Sequence, residues 1–257
     1  MKKKNLLFIF ALALVLMVLA NNILSYLGMG TGIGSPGFWI SKIIIFVIIF
    51  LLLRKAMLDN SKRVINYLFE DMDPEKFIEA TLRDVENVRN PKFKDLLKLN
   101  LSAGYIYGGD FEKAHELFDS INTEAFNEIH MLLFHNNYIN LLLSENQVEK
   151  ALATYNDNTN LFQMEIKNSD LASSVLSTKG AMAFHQGDIQ ESKELFTKSS
   201  QTAPKRLSML SIKYYMALIA EKENNIDEAI KIMEVVKDNA GNTILKKDAE
   251  EFLSKFA

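Results

Sequence analysis

Cysteine is absent from this 257-residue chain. That excludes disulfides and thiolate chemistry and leaves the redox compartment open. Proline occurs four times and glycine eleven times, too sparsely for a disordered or collagen-like chain. Histidine is scarce: His115, His130, His135 and His185 are the four present, and none stands in H-E-x-x-H or another close metal spacing. G-x-S-x-G, phosphate-loop and kinase signatures are missing too. From Lys55 onward no stretch alternates apolar and polar residues with period two, so strands are not expected. Carboxylates are plentiful, but on helix faces such groups ordinarily meet water. We therefore expect no enzyme, no metal and no cofactor.

Charge is unevenly spread. Residues 1–63 hold eight Lys/Arg and a single acid, Asp59, whereas the remainder holds 21 Lys/Arg against 31 Asp/Glu. An acidic body lacks the clustered cations that phosphate backbones demand, which argues against nucleic acid as its partner.

The amino-terminal part is apolar. Leu6 to Ala20 is an unbroken apolar run after Lys2-Lys3-Lys4, and it continues less purely to Met29. At 1.5 Å per residue, residues 6–29 reach across a hydrocarbon core of about 30 Å. A second stretch, 38–53, is short for a span, but it opens after Pro36-Gly37 and closes at Arg54-Lys55. Lys42 lies in its first turns, where an ammonium can snorkel to the headgroups. Gly32, Gly34 and Gly37 fit G-x-G-x-x-G, but a dinucleotide loop follows a strand; here the glycines read as a turn between two helices. Basic residues flank both outer ends, so both ends are expected on the cytoplasmic side of the membrane. A cleaved signal peptide ending near Val18-Leu19-Ala20 is the alternative for the first run.

The body carries a repeat. A polar bend is followed by an apolar residue, a small residue three positions on and a large apolar residue seven on. The copies are Gly109-Asp110-Phe111 with Ala114 and Phe118, Asn146-Gln147-Val148 with Ala151 and Tyr155, Gly187-Asp188-Ile189 with Ser192 and Phe196, and Asn224-Asn225-Ile226 with Ala229 and Met233. Their apolar anchors are 37, 41 and 37 residues apart, a period typical of helical repeats. Asp73-Pro74 and Pro91 read as helix starts. Asp110, Asp188 and Asn225 are placed to cap the second helix of a pair. Ile244 to Phe256 reads as a terminal helix covering the last repeat.

These motifs resemble the tetratricopeptide repeat family over about residues 92–238. Ala114, Ala151, Ser192 and Ala229 match the small residue at which the second helix crosses the first. Nine positions before each anchor stand Ser102, Ile139, Gly180 and Ala217, and three of these four are small. Tyr105 and Pro204 fall where the family favours an aromatic and a terminating proline. Ile139, Ser192 and the lengthened period depart from its pattern. The resemblance implies a concave groove lined by the first helices: Leu96, Leu99, Ala103 and Ile106; Leu133, Asn136, Asn140 and Leu143; Ser174, Ser177, Ala181 and Phe184; Ser211, Tyr214, Leu218 and Glu221. Asn136, Asn140, Ser177 and Tyr214 are the expected peptide-binding residues. Asn136 and Asn140 are i, i+4 neighbours whose amides suit an extended backbone. Lys and Arg are absent from these positions, so the grip on a terminal carboxylate seen in some relatives is not expected.

The expected architecture is all-α. Residues 1–55 form a membrane anchor with spans at about 6–29 and 38–53; 56–91 form a degenerate leading pair; 92–257 form a repeat solenoid with a capping helix. The expected function is a membrane-anchored scaffold that binds a protein or peptide at the cytoplasmic face. The alternative is a structural subunit that self-associates or docks through its convex face.

Overall fold

The computed structural model describes residues 3–28, 35–202 and 205–256. The glycine turn at Gly32 and Gly34, the proline at 204 and the last residue, Ala257, lie outside the described residues. Among those described there are helices and no strands. The chain divides into two compact units, Met1–Arg63 and Val64–Ala257.

The first unit contains α1 (Lys3–Tyr26) and most of α2 (Pro36–Phe69). Lys42 Nζ donates to Met17 Sδ at 3.4 Å, so the two helices lie side by side there. Among the described residues one helix, α2, is long and apolar enough to cross a membrane, where the sequence predicts two spans. In α1 the apolar stretch among the described residues is Val15–Tyr26. Nor does α2 stop where its apolar run does. Arg54 and Lys55 are good helix formers, and no breaker follows until the turn before Pro74, so the helix continues to Phe69. At 34 residues it is about 51 Å long. Trp39, Ile43, Phe46 and Phe50 are exposed along it, an apolar surface that water disfavours and lipid accepts.

The second unit is built from helix pairs: α3 (Pro74–Asn87), α4 (Pro91–Gly108), α5 (Phe111–Ser120), α6 (Glu128–Ser144), α7 (Val148–Asp157), the short α8 (Thr159–Phe162), α9 (Ser169–Gln186), α10 (Ile189–Gln201), α11 (Arg206–Lys222), α12 (Ile226–Asn239) and α13 (Ile244–Ser254). The four polar bends share one geometry. Gly109, Asn146, Gly187 and Asn224 all have positive φ, from 58° to 89°. The next N–H in each bend reaches the carbonyl five residues back: Asp110 to Tyr105, Gln147 to Leu142, Asp188 to Ala183 and Asn225 to Ala220, at 2.8–2.9 Å. Such a helix stop requires a residue that tolerates the left-handed region, which is why Gly and Asn alternate there. Asp110 and Asp188 then cap the following helices through the N–H of Lys113 and Glu191. Asn225 makes no such side-chain bond, contrary to the sequence expectation. Asp73 and Asn90 cap α3 and α4 ahead of their prolines.

The small crossing residues are fully buried: Ala114, Ala151, Ser192 and Ala229 all have no exposed surface. Large neighbours fill the flanks, with Phe118, Phe196 and Met233 buried and Tyr155 half-buried. Phe111, Val148, Ile189 and Ile226 are half-buried at the helix starts. At Gly180 a Cβ would stand 3.1 Å from the Phe196 ring, and Ser192 Oγ donates to the Gly180 carbonyl at 2.8 Å. The backbones of α9 and α10 meet there because both residues are small. Ile139 is bulky yet fully buried. The longer central spacing follows from α8 and the loop after it, inserted between α7 and α9.

The first helices of the pairs touch in succession, α4 with α6, α6 with α9, and α9 with α11. The terminal helix α13 does more than cover the last pair, because it packs on α11 and also on α4. Leu68, Met72 and Phe77 share a core with Leu207, Met233, Leu245 and Phe252. The Asn242 N–H donates to the Met72 carbonyl at 3.1 Å, where a Cβ on Gly241 would sit 2.8 Å from that oxygen. The two ends of the second unit are therefore joined.

Candidate functional site

Because α13 bridges α11 and α4, the side chains on the inner faces of the first helices surround a cavity of about 440 Å³, within the usual range of ligand sites. From α4 come Ile106 and Tyr107, from α6 Asn140 and Leu143, and from α9 Ser174, Ser177, Thr178 and Ala181. Ser208, Ser211, Tyr214 and Leu218 come from α11, and Asp248, Glu251, Phe252 and Lys255 lie in or just after α13.

Several of these groups are already committed. Ser177 Oγ and Ser199 Oγ are 3.0 Å apart, and Ser199 also bonds Ser173, which ties α9 to α10. Tyr107 is hydrogen-bonded to Ser211, and burial raises its phenol pKa despite that bond. Others are uncommitted. Thr178 is 1 % exposed, and its Oγ1 has no partner. Among the described residues the carboxylates of Asp248 and Glu251 have neither an ion pair nor a hydrogen bond.

Electrostatics follow from burial. Tyr214 is pushed up to about 12, first by desolvation and then by Asp248, Glu251 and Glu221. Burial raises Tyr215 as well. Asp248 is pushed up to about 6, chiefly by desolvation and next by Glu251, with Lys247 opposing. A carboxyl held in a half-dry wall without a contacting counter-ion loses more solvation than the nearby Lys247 offsets.

Of the expected peptide-binding residues, Asn140, Ser177 and Tyr214 line this cavity. Asn136 does not. It is fully buried, its Nδ2 donates to Ser174 Oγ at 3.0 Å, and its Oδ1 has no partner. Four residues advance a helix by about 40° beyond a full turn, enough to turn Asn136 into the α6–α9 contact while Asn140 reaches the opening. Leu99 and Phe184 are likewise buried in the cores. Sequence reasoning missed the α13 wall. The signal was present: Leu245, Ala249 and Phe252 are buried at helical spacing, and Asp248 and Glu251 stand beside that stripe. Of the histidines, His115 Nε2 lies 2.8 Å from Glu145 Oε2 and joins α5 to the end of α6.

No protein-family model matches this sequence, and no curated protein is significantly similar to it.

Proposed function

We propose that the chain is a membrane-anchored helical-repeat scaffold, similar in plan to tetratricopeptide proteins, that binds a protein or peptide segment in the cavity between the first helices and α13. The observation that carries this reading is the convergence of four successive first helices on one polar-walled cavity. Four bends with one hydrogen-bond pattern and four buried small crossing residues support the repeat assignment. Solenoids of this kind act as binding surfaces, and an anchor raises the local concentration of what they hold. The long apolar α2 supplies the anchor. Lys2–Lys4 before the first apolar run and Arg54, Lys55, Lys62 and Arg63 after the second support a two-span anchor with the repeats on the cytoplasmic side.

The test is peptide capture by the full-length protein in phosphatidylcholine nanodiscs, from a displayed random peptide library. Asn140→Trp would fill the cavity from a half-buried position whose side chain holds no hydrogen bond among the described residues. Peptides retained by wild type should be lost by this variant at unchanged helix content. Equal retention by both proteins would move binding to another face. A protein that retains no peptide and forms oligomers would make self-association the leading account.

A further inference from the structure

We propose that the cavity is selective for a basic peptide and takes a lysine or arginine side chain, with Asp248 and Glu251 as its counter-charges. The inference rests on the peptide-binding reading above and names the chemistry of the ligand.

Asp248 and Glu251 are three residues apart on α13, hence on one helix face, and both line the cavity. Neither carboxylate has a partner within the described residues. Among the described residues the one cation lining the cavity, Lys255, places its Nζ 5.5 Å from the Phe252 ring centroid and pairs with neither acid. Two acids against one cation give this wall a net negative charge, which repels anions and favours a cation. Buried polar atoms nearly always find a hydrogen-bond partner. Thr178 Oγ1 on α9 breaks that rule at the cavity wall and offers an acceptor to an incoming N–H. The amide oxygen of Asn140 on α6 offers another.

The rest of the cavity suits the rest of such a side chain. Lysine and arginine carry apolar stems that lie against apolar surface while the head reaches polar groups. Leu143 and Leu218 provide that surface. The Tyr214 ring provides a face on which a cation is stabilised, more strongly where water is excluded. Beyond the cavity, the excess of 31 acids over 21 bases after residue 63 draws a basic segment towards the body. A bound cation would also relieve the strained position of Asp248, whose burial now disfavours its charge.

The experiment uses the full-length protein in phosphatidylcholine nanodiscs and a peptide library whose central residue is fixed in turn as Lys, Arg, Leu or Glu, with its flanks randomised. Wild type should enrich the Lys- and Arg-centred pools at least tenfold over the Glu-centred pool. Asp248→Asn with Glu251→Gln keeps shape and removes charge; it should cut that preference at least tenfold. Asp227→Asn with Glu228→Gln removes two exposed acids on α12, and the preference should survive. Peptides captured with no preference for a basic centre would overturn this inference and leave peptide binding standing. So would a preference unchanged in the Asp248/Glu251 variant, or one lost equally in the Asp227/Glu228 variant. No capture by wild type would overturn both readings. Circular dichroism of each variant establishes that it is folded.

Discussion

Replacing Asp248 by Asn should make the protein more stable at neutral pH. The folded carboxyl ionises near pH 6 against an ordinary value of 3.8. The folded state therefore holds its proton more tightly than the unfolded state. Between those two values the folded protein carries more protons, and stability falls as pH rises. Above about pH 6 the whole penalty is present. The difference in pKa converts to about 3 kcal/mol at most. Asp248 is not fully enclosed, and screening by water reduces the effect to about 1–2 kcal/mol. For a unit of this size that corresponds to a Tm higher by about 2–8 °C. Asn keeps the shape and has no charge to desolvate. Thermal unfolding of the full-length protein in detergent, followed by far-ultraviolet circular dichroism from pH 4 to 8, reads this directly, because the fold is helical. The variant should lead at pH 7.5, and the two proteins should converge near pH 4. Equal stability at pH 7.5, or an advantage that persists unchanged at pH 4, would refute the burial of an unpaired carboxylate at this wall. A stability penalty retained at a cavity is what a binding site shows when its polar groups serve a ligand rather than the fold.

Other outcomes follow from the packing. Ala151→Leu and Ala229→Leu insert bulk at positions with no exposed surface and should each cost about 1–3 kcal/mol in chemical unfolding; wild-type stability in both would remove these residues from the helix crossings. Asn136→Ala should cost about 0.5–1.5 kcal/mol through the lost bond to Ser174, whereas Asn140→Ala should leave unfolding unchanged; the reverse ranking would exchange their roles. A reporter that is active only outside the cytoplasmic membrane, fused downstream of α13, should stay silent, and strong activity would reverse the proposed topology.

Much of the body was legible because its constraints are local. The bend residues announce themselves: a left-handed helix stop admits Gly109, Asn146, Gly187 and Asn224 and few other residue types. The small residues Ala114, Ala151, Ser192 and Ala229 were readable as crossings because close backbone approach leaves no room for anything larger. Asp73-Pro74 and Asn90-Pro91 combine a cap with a proline in the first turn, and both helices begin there. What the sequence hid is set by distant contacts. Nothing near Ile244 says that α13 will meet α4, since that contact joins opposite ends of the unit and depends on the Met72 turn receiving Gly241 and Asn242. The cavity was therefore half legible: the α6, α9 and α11 residues follow from the repeat register, but its charged wall does not. Asn136 was misplaced because its neighbour α9 packs closer to that side of α6 than an open groove allows. The single long α2 also escaped pattern reading, because the hydropathy ends at residue 53 while the helix does not.

The most direct test places a photo-crosslinking amino acid, benzoyl-phenylalanine, at position 140 on the cavity wall or at the exposed position 149 on α7, in full-length protein within its native membrane. If the cavity is the binding site, irradiation should yield adducts to another polypeptide from position 140 and none from position 149, and Asp248→Asn with Glu251→Gln should diminish them. Adducts from position 149 alone, or adducts only to a second copy of this chain, would contradict the account.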